Sequence, residues 1–454
     1  MAKKAAKTKK TAKTKKVTKS KKVTKSKKVA KAKKVAKRPP ARGGAPAGLG
    51  APAAGGFAFA NPKKLPDNFT SFSSADLQAD SKIRGATNIL PLRGPRKDPP
   101  VMTLDEVLGA AAVAQIRGAG SITIHSAGDT GGIKKPESQF AVADAMVADL
   151  DGKTYANGRA AFFYHLGDIV YYLGQEQYYY DQFYDPYRDY AAPIFAIPGN
   201  HDGMISPALP QNKSLDGFWN NFCSDVPRNN PDAQGFVRTT MTQPGIYFTL
   251  DAPFVKFIGL YSNVSEGSTE GVISDSVTGP AQLNFLQQQL KKAAQERAAG
   301  DQRALLLMVH HPAYTTSEDH MPSPTVLKQV DAACQAAKIL PDMVLSGHAH
   351  LYERYTRFVG ANEIPFLVAG CGGFYNLAGI KNPNLVAPAT GKMDTDEEGN
   401  KVRLEKYYDR TFGFLRLTIS ANQVKGEFVG VDVATRKMTT RDTFTLNLRT
   451  HKVG

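Results

Sequence analysis

Between residues 121 and 373 the chain repeats one pattern: a short apolar run ends in a small residue and then in a polar one. SITIHSA leads into GDTGG, AAFFYHL into GDIVY, PIFAIP into GNHD, ALLLMV into HHPAY, PDMVL into SGHAH, and IPFLVA into GCGG. Apolar runs this short, rich in β-branched and aromatic residues, are the signature of strands buried on both faces. Amphipathic stretches lie between some of them. Residues 137–150 put Phe140, Ala143, Val147 and Leu150 on one helical face; 281–298 do the same with Leu283, Leu286 and Leu290, and 325–338 read likewise. Strands alternating with helices predict an α/β fold, in which polar residues at strand ends collect on one edge. After residue 412 the pattern changes. FGFLRLTIS, QVKGEFVGVDV and DTFTLNL are β-rich and separated by turn signals, which predicts antiparallel strands completing a sheet. Residues 61–119 say little beyond one predicted helix over 103–117.

The charge is confined to one end. The formal net charge is +17, yet residues 1–38 alone hold 19 of the 58 Lys and Arg residues, and the first acid is Asp67. This tail is a degenerate repeat (KKVTKS, KKVTKS, KKVAKA, KKVAKR) with one valine per unit. It cannot bury enough apolar surface to offset the entropy of ordering, so a disordered tail is expected. A Pro/Gly/Ala-rich linker follows to about residue 60. The tail resembles the lysine- and alanine-rich tails of histone-H1-like proteins in composition. A flexible lysine array binds polyanions by counterion release, so non-specific DNA or RNA binding through residues 1–38 is expected, with a solvated tail as the alternative. The expected organisation is a tail and linker over 1–60, an N-terminal extension over 61–119 and a catalytic domain over 120–450. No run approaches the roughly 18 apolar residues of a membrane span, and no apolar signal segment opens the chain, which reads as cytoplasmic. Cys223, Cys334 and Cys371 are too few and too scattered for a disulfide framework.

The strand-end residues are Asp129, Asp168, Tyr171, Asn200, His201, His310, His348 and His350. Carboxylate, imidazole, amide and phenolate suit Fe, Zn or Mn better than Ca or Cu(I). They are too many for one ion, and a carboxylate such as Asp168 can bridge two. Paired metals activate a water and stabilise both oxygens of a phosphoryl displacement. Taken singly, each motif is weak: a GD dipeptide after a strand is commonly a turn. GHAH is stronger, because alternate positions across a small spacer let both rings face one cavity. The order of five such motifs, each at a strand end, carries the inference.

This ordered set, GD, GDxxY, GNHD, VHxP and GHxH, resembles the calcineurin-like metallophosphoesterases, and within them the purple acid phosphatases. Tyr171 stands three residues after Asp168, and His348 and His350 are followed by Tyr352, Glu353 and Arg354. The resemblance spans roughly residues 120–445. It implies a pair of β-sheets flanked by helices, a four-layer α/β/β/α arrangement. It also implies a site with two metal ions per chain, iron with Fe, Zn or Mn. Asp129, Tyr171 and His350 would hold the first metal, Asn200, His310 and His348 the second, and Asp168 would bridge. His201 would face the substrate phosphate. His320, ten residues after His310, would serve as general acid to the leaving group; His311 is the alternative, expected to point away. The implied reaction is in-line attack of a metal-activated hydroxide on a phosphate ester.

Two other readings compete with a monoesterase. One is a phosphodiesterase acting on nucleotides or nucleic acid. The other is a tail-driven nucleic-acid-binding protein on an inactive scaffold, against which stands the presence of every implied ligand. The aromatic stretch 175–190 is either a rim that stacks on a substrate ring or a packed helix-loop. The insertion 203–247, with Trp219, is expected to shape substrate access. His125 and His165 read as structural.

Overall fold

The computed structural model describes residues 92–204, 214–235, 238–264, 271–276, 278–391 and 399–454. The expected lysine-rich tail and its linker lie outside these residues. In chain order the first strands are β1 (Val101–Thr103), β2 (Ser121–Ala127), β3 (Ala160–His165), β4 (Ile194–Ala196), β5 (Phe248–Ala252) and β6 (Val255–Leu260). Next come β7 (Asn263–Val264), β8 (Gly271–Val272), β9 (Ala304–Val309), β10 (Met343–Ser346), β11 (Tyr352–Val359) and β12 (Asn362–Ala369). The last are β13 (Ala389–Gly391), β14 (Lys401–Tyr408), β15 (Phe412–Ser420), β16 (Gln423–Val431), β17 (Met438–Asn447) and β18 (Lys452–Val453).

Two mixed sheets dominate the described residues. A seven-stranded sheet has the order β18-β17-β16-β15-β2-β3-β4, and a nine-stranded sheet has the order β1-β5-β6-β9-β10-β12-β11-β14-β13. In the smaller sheet β2, β3 and β4 run parallel, and the C-terminal hairpins extend it antiparallel through β15. In the larger sheet β6, β9, β10 and β12 run parallel. β3, β6 and β9 are buried at every position, as strands covered on both faces must be.

Aromatic side chains lock the sheets face to face. Phe162 of β3 meets Phe257 of β6 edge-on at 5.7 Å between ring centroids, and Tyr164 stacks over Phe248 of β5 at 6.3 Å. The helix Glu137–Leu150 covers the smaller sheet, while Ala281–Ala298 and Pro324–Ala337 pack on each other, the former also against β6 of the larger sheet. The latter helix starts cleanly: the Ser323 side chain accepts from Val326 N–H, and Pro324 takes the first helical position. This is the four-layer arrangement that the strand pattern and the resemblance implied.

Two expectations need correction. The single helix over 103–117 is two short helices, Asp105–Leu108 and Ala110–Gly118, because Gly109 between them has φ of +81°. The helix 137–150 buries a broader face than expected. Ala143 and Leu150 are buried as expected, but so are Val142, Ala145, Met146 and Asp149, while Phe140 and Val147 are only partly buried. A carboxylate facing the core has a physical cause here: Asp149 meets His125 Nε2 at 2.9 Å, Lys153 Nζ at 2.8 Å and the Arg416 guanidinium. Of the two readings of the aromatic stretch 175–190, the packed one holds. Tyr179, Tyr180, Tyr184, Tyr187 and Tyr190 are all buried, and Tyr190 hydroxyl lies 3.0 Å from His125 Nδ1. Cys223, Cys334 and Cys371 are free and buried. Among the described residues no helix is long and apolar enough to cross a membrane.

Burial works to raise the Asp149 carboxyl, and hydrogen bonds from His125, Lys153 and Arg416 outweigh it, holding the group well below the usual carboxylate range. Its contribution to stability is therefore full above the unfolded carboxylate value near 4 and is lost as pH falls below it. Asp149→Ala removes the partner of a fully buried imidazole and of a guanidinium. Urea denaturation at pH 7 is expected to show a loss of about 3 kcal/mol. An unchanged midpoint would mean that the cluster is not what orients this helix.

Candidate metal centre

Five loops carry the polar residues. Asp129 follows β2, Asp168 and Tyr171 follow β3, Asn200 and His201 follow β4, His310 follows β9, and His348 and His350 follow β10. The first three loops belong to the smaller sheet and the last two to the larger, so neither sheet alone contains the cluster. Backbone hydrogen bonds stitch the edges together: Gly128 N–H donates to Ala369 O at 2.9 Å, and Phe374 N–H donates to Asp129 O at 2.8 Å.

The side chains fall into two groups. In one, Tyr171 hydroxyl donates to Asp129 Oδ1 at 3.2 Å and lies 3.3 Å from His350 Nε2, which is 3.5 Å from the same carboxylate oxygen. In the other, Asn200 Oδ1 lies 3.1 Å from His310 Nε2 and 3.0 Å from His348 Nδ1. Asp168 touches both groups. Its Oδ1 is 3.4 Å from His310 Nε2, and its carboxylate also meets the Tyr171 hydroxyl. Asp129, Asp168 and His310 each offer a ligand atom within 4.8 Å of the others.

Hydrogen bonds on the far side of each ring set its chemistry. His310 Nδ1 lies 2.8 Å from Leu166 O, and His350 Nδ1 lies 3.1 Å from Asn376 O. A carbonyl only accepts, so Nδ1–H donates in both rings and Nε2 faces the cluster. His310 Nε2 thus confronts Asn200 Oδ1 and the Asp168 carboxylate, both acceptors. Acceptors in mutual contact need a cation between them, either a proton or a metal ion. Without a metal the proton takes that place. Burial lowers the His310 pKa, but the charges of Asp168 and Asp129 outweigh it and push the value up to about 9. Tyr171 is held neutral by burial and by the same two carboxylates. The donor set fits hard to borderline metal ions.

The backbone accepts cost to place these groups. Asp129, Asp168 and His348 have φ of 57°, 55° and 68°, a left-handed conformation that non-glycine residues rarely adopt. Close approach needs glycine at two positions. A Cβ at Gly199 would meet Asp168 Oδ1 at 2.1 Å, and one at Gly347 would meet Asp129 Oδ2 at 2.5 Å.

His201 sits at the edge of the cluster. Its backbone N–H donates to Asp168 Oδ1 at 2.9 Å, its Nδ1–H to Tyr172 O at 2.9 Å, and its Nε2 is 4.0 Å from Asp168 Oδ2. With 22% of its side chain exposed, it is open to solvent where the bridging carboxylate is sealed at 1%. His320 stands against the two histidines that follow β10, its ring 4.5 Å from His348 and 4.7 Å from His350. Burial and the neighbouring His350 push its pKa down to about 3, so the ring is neutral. His311 does not point away as expected. Its ring packs 4.2 Å from His348, with Nδ1 at 2.9 Å from Ser262 Oγ. His165, read as structural, braces the turn before Asp168: Thr130 Oγ1 is 2.8 Å from its Nε2, and Gly167 N–H donates to its Nδ1.

Asp202 was missed by the sequence reading, although it closes the GNHD motif. Its carboxylate is buried and accepts from Gly199, Ile169 and Val170 N–H at 2.8–3.2 Å. It ties the loop of Asp168 and Tyr171 to the loop of Asn200 and His201. Of the insertion 203–247, residues 205–213 and 236–237 lie outside the described residues. Trp219 packs under the Arg93 guanidinium at 4.1 Å.

Two mixed sheets flanked by helices carry at their shared edge a carboxylate–imidazole cluster able to hold metal. The model of the calcineurin-like phosphoesterase family matches residues 122–352; the chain belongs to that family and is a phosphoester hydrolase. Among solved structures it is similar to GAP50, described as the anchor in the inner membrane complex of Plasmodium, at 14% identity, covering 72% of this chain and 89% of that one with a TM-score of 0.49. It is also similar to PhoD at 12% identity, covering 74% and 71% with a TM-score of 0.43. A putative 5'-nucleotidase from Staphylococcus aureus matches at 13% identity, covering 72% and 54% with a TM-score of 0.29. No curated protein sequence matches the chain.

Two tests follow from the geometry. Asp202→Ala leaves three backbone donors without their acceptor, and metal affinity measured by calorimetry is expected to fall at least about tenfold; unaltered affinity would show that the two loops hold without it. The second concerns protons. His310 is protonated in the metal-free protein below pH 9, and an Nε2 that binds metal must lose that proton. Titrating metal at pH 7.5 in buffers of different ionisation enthalpy is expected to show proton release that His310→Gln diminishes. The same imidazolium stabilises the metal-free fold fully below the unfolded value near 6.5, and this contribution is lost as pH rises through 9.

Proposed function

We propose that the protein is a binuclear phosphomonoesterase of the purple-acid-phosphatase type. One observation carries this reading: two three-residue groups converge, and one carboxylate, Asp168, touches both. Asp129, Tyr171 and His350 would hold the first metal, Asn200, His310 and His348 the second, and Asp168 would bridge them, with iron paired with Fe, Zn or Mn. Metals there would supply Lewis acidity and the nucleophilic water that hydrolysis needs.

The chain's own residues do the rest. His201 gives Nδ1–H to Tyr172 O, so it can donate to a phosphoryl oxygen only from a protonated Nε2, a form that a phosphate dianion stabilises. His320, neutral in this structure, rests its ring against His348 and His350, from where an N–H would hydrogen-bond the leaving oxygen. Both roles are those the resemblance implies, and the contact of each ring with ligand residues supports them.

Diester hydrolysis is the second reading, favoured by the lysine array of residues 1–38, which would hold nucleic acid near the site. An inactive scaffold is disfavoured by the convergence of every donor. On this reading residues 120–450 form the catalytic domain and 61–119 an extension, of which Val101–Thr103 adds an edge strand beside β5.

The test is hydrolysis of a chromogenic phosphate monoester by purified protein, with metal content measured on the same sample. Two metals per chain are expected, together with activity that Asp168→Asn lowers by about a thousandfold. Two metals with turnover of a matched diester alone would move the assignment to the diesterase, and absence of metal with no activity after reconstitution would overturn both.

A further inference from the structure

Beside the ligand groups lies a small apolar cluster separate from the main core. Its inner members, Ile133, Tyr171 and Phe374, are buried, and Tyr172 and Tyr375 stand half-buried at its edge. The cluster begins at the site itself. Tyr171 stacks on Phe374 at 4.2 Å between centroids, and the Phe374 ring lies 4.6 Å from His350. Tyr375 continues outward from Phe374 at 4.7 Å, and Tyr172 lies 6.1 Å from the exposed His201. The two outer tyrosines come from loops about two hundred residues apart, and one cation spans them. Lys134 Nζ donates to Tyr375 hydroxyl at 3.1 Å and sits 5.0 Å from the Tyr375 ring and 5.7 Å from the Tyr172 ring. A lysine in contact with both rings fixes their spacing.

We propose that Tyr172 and Tyr375 form a stacking wall for planar leaving groups, with Lys134 positioning the two rings, so that the site takes nucleotides in preference to sugar phosphates. The inference rests on the phosphoesterase reading of the cluster and adds a substrate class to it. The wall meets the site at two places, through Tyr172 beside His201 and through Phe374 beside His350, whose ring lies 4.7 Å from His320, so an ester held at the cluster extends its leaving group along it. Aromatic faces select π-surfaces: stacking a base on such a ring is worth about tenfold or more in binding. A sugar or polyol offers no such face. Tyr375 also falls beyond residues 122–352, so half of this wall lies outside the part of the chain that matches the family.

The test compares two esters with the same primary alkoxide leaving group, adenosine 5′-monophosphate and ribose 5-phosphate, which differ by the planar base. The wild-type protein is expected to favour the nucleotide by about tenfold in kcat/KM. Tyr375→Leu and Tyr172→Leu should each collapse that ratio toward one, and Tyr375→Phe, which keeps the ring, should retain it. A wild-type ratio near one, or a ratio that Tyr375→Leu leaves intact, overturns the wall. If neither ester nor a chromogenic monoester is hydrolysed, the phosphomonoesterase reading falls. The wall is then judged by calorimetric binding of the two compounds: a Tyr375-dependent preference for the nucleotide supports it, and equal affinity overturns it.

Discussion

The hydrogen bond from His310 Nδ1 to Leu166 O, at 2.8 Å, joins residues 144 positions apart and belonging to different sheets. It does two things at once. It pins the edge of the larger sheet to the edge of the smaller one, and it commits one ring nitrogen so that the other faces the cluster. If the sheets shifted against each other, His310 would lose both its orientation and its ring polarity. The aromatic packing of Phe162 and Tyr164 against Phe257 and Phe248 prevents that shift, because interior packing is too dense to slide. The core is in this sense part of the site.

A second constraint is electrostatic. Buried carboxylates and acceptor oxygens that face one another are unstable without positive charge among them. The left-handed backbone at Asp129, Asp168 and His348 adds local strain to that repulsion. Strain and repulsion persist because the surrounding hydrogen bonds over-determine the loops, with Asp202 bridging two of them and His165 tying one of these, at Gly167, to the Asp129 loop through Thr130. A proton on His310 relieves part of the repulsion in the metal-free protein. A metal ion would relieve more, since it can be shared among several donors.

The placement of aromatic residues shows how a local pattern and its use can part. Residues 175–190 hold the densest run of tyrosines in the chain, and they are interior, tied to His125, Asn221 and the smaller sheet. The aromatic edge beside the cluster is built instead from Tyr172 and Tyr375, about two hundred residues apart and joined only by folding. A run of aromatics signals burial first, because large apolar rings gain most from leaving water.

The sequence by itself determined the alternation of strands and helices, the antiparallel ending, and the order of polar residues at strand ends, because each is a short-range pattern of hydrophobicity and residue type. Asp129, Asp168, Tyr171, Asn200, His310, His348 and His350 could all be named from it. Tertiary structure alone decided which of these meet, that Asp168 stands between two groups, and that Asp202 ties their loops. It also widened the buried face of helix 137–150, so that Asp149 faces inward beside Val142, Ala145 and Met146. These outcomes depend on contacts between residues tens to hundreds of positions apart, such as His348 N–H to Asp129 Oδ2 across 219 residues. No local pattern encodes such distances; they exist only once both sheets have packed.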